Sequence, residues 1–152
     1  MRATSLLAVA LALSPLVSGC RGKVVGVASL HGAGSTDVHI SPTATPFVLW
    51  ADTDGKWVGP GGRNSRFPAH YEIDVLAKGA KVGHVSCDTH DSNETICGTE
   101  TTIGDTHHGD CELRLNCVLP KLPAGDVVLH VTGTPGKGAT DIANMSLNIR
   151  ES

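Results

Sequence analysis

Apolar residues in this chain recur at every second position. In HYEIDVLA, Tyr71, Ile73 and Val75 alternate with Glu72, Asp74 and Leu76, which is the period of an extended strand with one covered face and one wetted face. The alternation returns in CELRLNCVL (Leu113, Leu115, Cys117, Leu119), GDVVLHVTG (Val127, Leu129, Val131) and ANMSLNIRE (Met145, Leu147, Ile149). KVVGVASL, TDVHI and PFVLWAD add shorter candidates. AKGAKV, centred on Lys78 and Gly79, predicts a tight hairpin whose second strand runs through Val82, His84 and Val85 to Cys87. After the first twenty residues no segment keeps a helical apolar period. Many of the 18 glycines and 8 prolines gather in SPTATP (41–46), DTDGKWVGPGGRNSRFP (52–68) and GTPGKGATD (133–141), which read as turn-rich connections. Together these features predict an all-β fold: an antiparallel β-sandwich of about seven or eight strands with little helix.

The chain opens MRATSLLAVALALSPLVSGC. Arg2 supplies an early cation, and the apolar run from Leu6 to Leu13 is broken by Ser14 and Pro15. A membrane-crossing helix needs about 20 apolar residues, so this run has the length of a secretory signal core instead. It ends on Val17, Ser18, Gly19 and Cys20. That ending resembles the lipobox of bacterial lipoproteins, with Val17 where leucine is commoner. The resemblance covers the signal and the anchor and says nothing of the rest.

The lipobox resemblance implies that residues 1–19 are a removable signal, that the Cys20 sulfur takes a diacylglyceryl group, and that the new amino terminus is acylated. Residues 20–24 would then be a lipidated end with a short tether, and residues 25–152 a single sandwich domain. Each buried methylene contributes about 0.8 kcal/mol, so several acyl chains together hold firmly where one alone is marginal. Arg21 follows the cysteine where aspartate would favour the inner membrane. By the same resemblance the expected location is the outer membrane, facing periplasm or cell surface.

Removing nineteen residues from 152 leaves 133, enough for one domain with one core. The formal net charge is −3, and the 12 lysines and arginines are scattered. No basic stripe marks a nucleic-acid surface, and that class of partner is set aside.

With Cys20 assigned to lipid, Cys87, Cys97, Cys111 and Cys117 remain. An even number in an exported chain predicts two disulfides. Three connectivities are open. The nested one, Cys87 with Cys117 and Cys97 with Cys111, would tie paired strands and close the segment between them, and it is preferred to the sequential one, which would staple two short loops.

The same cystines decide how GDTHHGDCELRLNC (104–117) reads. Zinc favours thiolate and imidazole ligands in a closed shell, and oxidation removes the thiolates. A ligand set of His90, Asp91, His107 and His108 stays as the rival, against solvated loop side chains. DTDG (52–55) has the start of a calcium loop, but Arg63 stands where its glutamate should be, so a plain turn is expected. Copper-zinc superoxide dismutase requires histidines one residue apart; DVHI carries only His39. No Gly-x-Ser-x-Gly elbow is present, and His84 and His130 lie within predicted strands as structural residues. Trp50 is expected in the core. Trp57, in a glycine-rich stretch beside Lys56, is the candidate for an exposed sugar-stacking platform.

The resulting expectation is a lipid-anchored, non-enzymatic binding or structural module of the cell envelope without a cofactor. Its membrane contact is the anchor, and its partner is an envelope protein or a glycan. The segment Asp88 to Asp110 is expected to be a long loop held at its base by cystine and to carry the contact. The alternatives are a histidine-based metal sensor or enzyme and a glycan-binding domain using Trp57.

Overall fold

The computed structural model describes residues 21–42, 46–59 and 66–152. Nine strands build two antiparallel sheets among these residues. They are β1 (Val24–Ala28), β2 (Gly34–Ile40), β3 (Phe47–Val58), β4 (Ala69–Ala77), β5 (Ala80–Asp88), β6 (Ser92–Ile103), β7 (Thr106–Leu115), β8 (Val127–Pro135) and β9 (Ala139–Glu151). The five-stranded sheet runs β1-β9-β3-β7-β6 and the four-stranded sheet β2-β8-β4-β5. The chain crosses between sheets at most connections and stays within one sheet only at the β4–β5 and β6–β7 hairpins.

Alternating residues face inward to one shared core. Tyr71, Ile73 and Val75 of β4, and Val127, Leu129 and Val131 of β8, meet Leu49 and Ala51 of β3, Leu113 and Leu115 of β7, and Met145, Leu147 and Ile149 of β9. The Tyr71 hydroxyl donates to the Met145 carbonyl at 3.1 Å, joining the two sheets by a buried hydrogen bond. The β4–β5 hairpin turns on Lys78 and Gly79, both at positive φ, the backbone that a two-residue turn between right-twisted strands requires. Its predicted position is the observed one.

Two segments differ from expectation. Residues 52–58 of the predicted turn continue β3, where Thr53, Gly55 and Trp57 are buried. Asp88 to Asp110 is no loop: after a short 3-10 turn, Thr89–Asp91, the chain forms β6 and enters β7. The count therefore rises to nine. The β6 sequence SNETICGTETTI lacks apolar alternation because, as the edge strand, most of it is exposed. Its threonines supply extended propensity without a buried face.

Gly109 permits the close pairing of β6 with β7. A Cβ there would lie 2.5 Å from the Thr99 carbonyl oxygen and 3.2 Å from the Glu100 Cα, so the edge strand would have to move. Gly109→Ala is expected to destabilise the domain by about 1–3 kcal/mol, as overpacking does. A lower urea midpoint for the oxidised protein is the readout, and an unchanged midpoint would mean that β6 yields freely.

Candidate functional site

Both cystines have the nested connectivity. Cys87 at the end of β5 is bonded to Cys117 beyond β7, joining the two sheets, with Cα atoms 5.5 Å apart. Cys97 is bonded to Cys111, its register partner across β6 and β7. The ribbon is also tied at its base. Asp88 caps the 3-10 turn by accepting from the His90 N–H at 2.8 Å, and the buried Thr89 hydroxyl donates to the Phe67 carbonyl at 2.7 Å. Arg66 donates to Thr95 Oγ1 and to the His90 carbonyl, each at 3.2 Å.

The candidate metal ligands are separated. His107 and His108 are adjacent in β7, so their side chains leave opposite faces of the sheet; His107 is 1% exposed, whereas His108 lies in the open. His90 sits at the other end of the ribbon. The ten residue steps from Ser92 to Thr102, the register partner of His107, correspond to roughly 30 Å at strand rise. Among the described residues no three histidine, cysteine, aspartate or glutamate side chains are grouped to hold a metal ion.

Trp57 is no exposed platform. It is 1% exposed, its ring stacks on His107 at a centroid distance of 5.3 Å and 12°, and it meets Phe67 edge-on at 6.0 Å. The His107 Nδ1 lies 3.2 Å from Glu100 Oε1 and 3.1 Å from Thr102 Oγ1. Its Nε2 is buried with no hydrogen-bond partner. Trp50 is also buried, at 2% exposed, but on the outer face of the five-stranded sheet and not in the shared core. The guanidinium groups of Arg21 and Arg150 cover it, 5.7 and 5.4 Å from the ring centroid. Asp52, expected in a turn, lies on β3 beside its register partner Glu112. Cys20 and Arg63 lie outside the described residues.

Two polar surfaces result, one on each sheet. On the four-stranded sheet, Asp37 of β2 pairs with His130 of β8 at 2.6 Å. Asp74 of β4 pairs with His84 and Lys81 of β5 at 2.6 and 2.7 Å. Glu72 joins His84 at 2.7 Å and His70 at 2.6 Å, and His70 stands 3.6 Å from Asp88. Residues two apart on one strand and opposite each other on neighbouring strands share a face, which is why Asp74, His84, Lys81, Glu72, His70 and Asp88 form one linked ladder and the Asp37–His130 pair stands beside it, with His130 opposite Asp74 in register. His39 stands exposed on β2 nearby.

Within the ladder, Glu72 and Asp74 are held low. Hydrogen bonding to His70 first, then to Ser86, holds Glu72 below its ordinary 4.5, against a desolvation penalty. Lys81 first and His84 second hold Asp74 below its ordinary 3.8. A depressed carboxylate contributes stability that is fully present above its unfolded value and is lost as pH falls through the lower folded one. The fold is therefore expected to weaken on acidification below 4.5 and 3.8. The double variant Glu72→Gln, Asp74→Asn should flatten that dependence in urea titrations, and an unaltered acid slope would count against the ladder as its source.

On the five-stranded sheet, a cleft of about 410 Å³ is lined by Arg21, Asp52, Ile96, Gly98, Asp110, Cys111 and Glu112. Asp110 is fixed by the Thr99 N–H, which donates at 2.7 Å. Glu112 pairs with Arg21 and lies 3.6 Å from Arg150. Burial raises the Asp52 carboxyl above its ordinary value; the charges of Glu112 and Asp110 push the same way, while Asn144 and Arg150 oppose. The cleft thus offers carboxyl and guanidinium groups side by side.

Periodicity pointed to neither surface, since the polar residue of every apolar–polar pair reads only as outward-facing. A usable signal was present in the H-x-E-x-D of β4 (70–74), which puts three titratable side chains on one face of one strand. Neither a family model nor a curated protein matches the chain.

Proposed function

We propose that the chain is a lipid-anchored binding module of the cell envelope, held through Cys20 at the outer membrane, that recognises an envelope protein through the outer face of its four-stranded sheet. The single observation that carries this reading is the ladder of Asp74, His84, Glu72, His70 and Asp88 with the Asp37–His130 pair beside it, a wide, half-exposed and braced polar surface on rigid strands. Such a surface presents charged and hydrogen-bonding groups at fixed spacing without ordering them at the moment of binding. A glycan has less to hold, because Trp57 is in the core. Export is supported by the two cystines, which belong to oxidising compartments, together with the lipobox ending at Cys20.

The test is made on the full chain expressed in a bacterial host and extracted in detergent. The amino-terminal peptide is expected to begin at Cys20 and to carry both the thioether-linked glyceride and the amide-linked acyl group. A bare Cys20 thiol, or residues 1–19 still attached, sinks the anchor. Crosslinking in intact cells should then capture an envelope protein that is lost with Glu72→Gln, Asp74→Asn. Capture that is indifferent to those changes sinks the assignment of the face.

A further inference from the structure

We infer that the outer face of the five-stranded sheet around Arg21, Trp50 and Arg150 lies flat against a layer of zwitterionic phospholipid headgroups, which turns the histidine–carboxylate face away from the membrane. The inference rests on the acylation of Cys20 proposed above and adds to it an orientation.

The path of the chain is the first argument. Cys20 directly precedes Arg21 in the sequence, so a lipid on Cys20 would be attached one residue from it. Arg21 is no free tether: its guanidinium pairs with Glu112 of β7 and covers the Trp50 ring of β3. Two residues later the Lys23 carbonyl accepts from the Glu151 N–H at 2.9 Å, and β1 begins at Val24. A linker of n flexible residues spreads its end over about 5–6 Å × √n, and here n is close to one. Acyl chains attached at Cys20 therefore enter the bilayer beside this face and leave little room for the domain to tumble.

The chemistry of the face is the second argument. Arg21 and Arg150 cover the buried Trp50 ring, and the half-exposed Arg21 presents a guanidinium at the surface. The Trp50 Nε1 and the Arg150 Nε are buried there without hydrogen-bond partners. Beside them the carboxyls of Asp52, Asp110 and Glu112 line the cleft. A headgroup carrying both phosphate and ammonium complements both signs at once, with phosphate toward the guanidiniums and ammonium toward the carboxyls. A purely anionic layer would meet the three carboxyls with repulsion.

The test uses the acylated chain in phosphatidylethanolamine–phosphatidylcholine vesicles containing a headgroup-nitroxide lipid. Ile96→Trp places a reporter on the cleft wall and Val82→Trp an exposed one on β5 of the other sheet, over the same background from Trp50 and Trp57. Stacked sheets are about 10 Å apart, so the cleft reporter should be quenched at least about two-fold more than the distant one. Equal quenching, or stronger quenching at Val82→Trp, overturns the orientation while leaving acylation intact. Carbodiimide labelling of the unsubstituted chain gives a second measure free of substitutions: relative to a soluble Cys20→Ser form, vesicles should protect Asp110 and Glu112 and leave Asp37 and Glu72 reactive. Equal labelling of the two faces also overturns it. An unacylated Cys20 removes the anchor and this inference with it, and the mass of the amino-terminal peptide separates that failure from the others.

Discussion

Replacing Trp57 with alanine is expected to lower the unfolding free energy by about 3–5 kcal/mol, the cost of emptying a large aromatic site in a packed core. The indole is 1% exposed, stacked on His107 and edge-on to Phe67, neighbours held in packed strands and loops that cannot wholly collapse into the space. The His107 ring would lose its stacking partner while its unpaired Nε2 remained buried. At the slope typical of domains near this size, the melting temperature should fall by roughly 10–20 °C. Urea unfolding of the oxidised protein is the decisive measurement. A platform residue on the surface would change stability by no more than about 0.5 kcal/mol, so a small effect would restore Trp57 as a ligand contact. The same burial predicts that cell-wall sugars leave Trp57 fluorescence unmoved.

Removing the Cys87–Cys117 bridge by alanine at both positions should cost about 3–4 kcal/mol on the chain-entropy account for a loop of this size. The bond spans 30 residues of sequence and joins the end of β5 to the chain just after β7, so it closes the sandwich at one end. The Cys97–Cys111 bridge spans 14 residues and links strands that hydrogen bonding has already brought together. Its double-alanine variant should lose less. Chemical denaturation of both variants and the parent supplies the comparison; a larger loss from the Cys97 and Cys111 pair would show that hairpin closure matters more than inter-sheet closure. Both cystines are formed in the structure, so reduction before unfolding should reproduce the combined loss.

The comparison of Trp57 with Tyr71 shows where sequence reading succeeds. Tyr71 sits in a strict two-residue alternation, and its inward direction followed from that period alone. Trp57 follows DTDGK, five residues with polar and glycine character, whose local signal is that of a turn. In the fold those residues continue β3, with Thr53 and Gly55 facing the core. Gly55 is small because Phe67 approaches: a Cβ there would stand 2.9 Å from the Phe67 ring. Long-range packing, which has no local period, chose the glycine. For β6 the difficulty is the reverse. An edge strand with little burial has no apolar face to display, and its turn-like and polar composition imitates a loop.

The histidines teach the same lesson. Clustering along the chain suggested His107 with His108, yet a strand turns successive side chains to opposite faces. The histidines that do share a surface, His70, His84 and His130, are scattered over 61 positions and come together only when β5, β4 and β8 are laid side by side. The inward faces of the regularly alternating strands and the Lys78–Gly79 hairpin are legible from order alone, because each depends on neighbours a few residues apart or on the parity of a strand, whereas the order of the cysteines left three connectivities open, of which the fold has the preferred nested one. Which tryptophan entered the core, which carboxyls met which imidazoles, and where Arg21 came to rest were decided by the pairing of distant strands, whose register is set by the total burial of two sheets and not by any single segment.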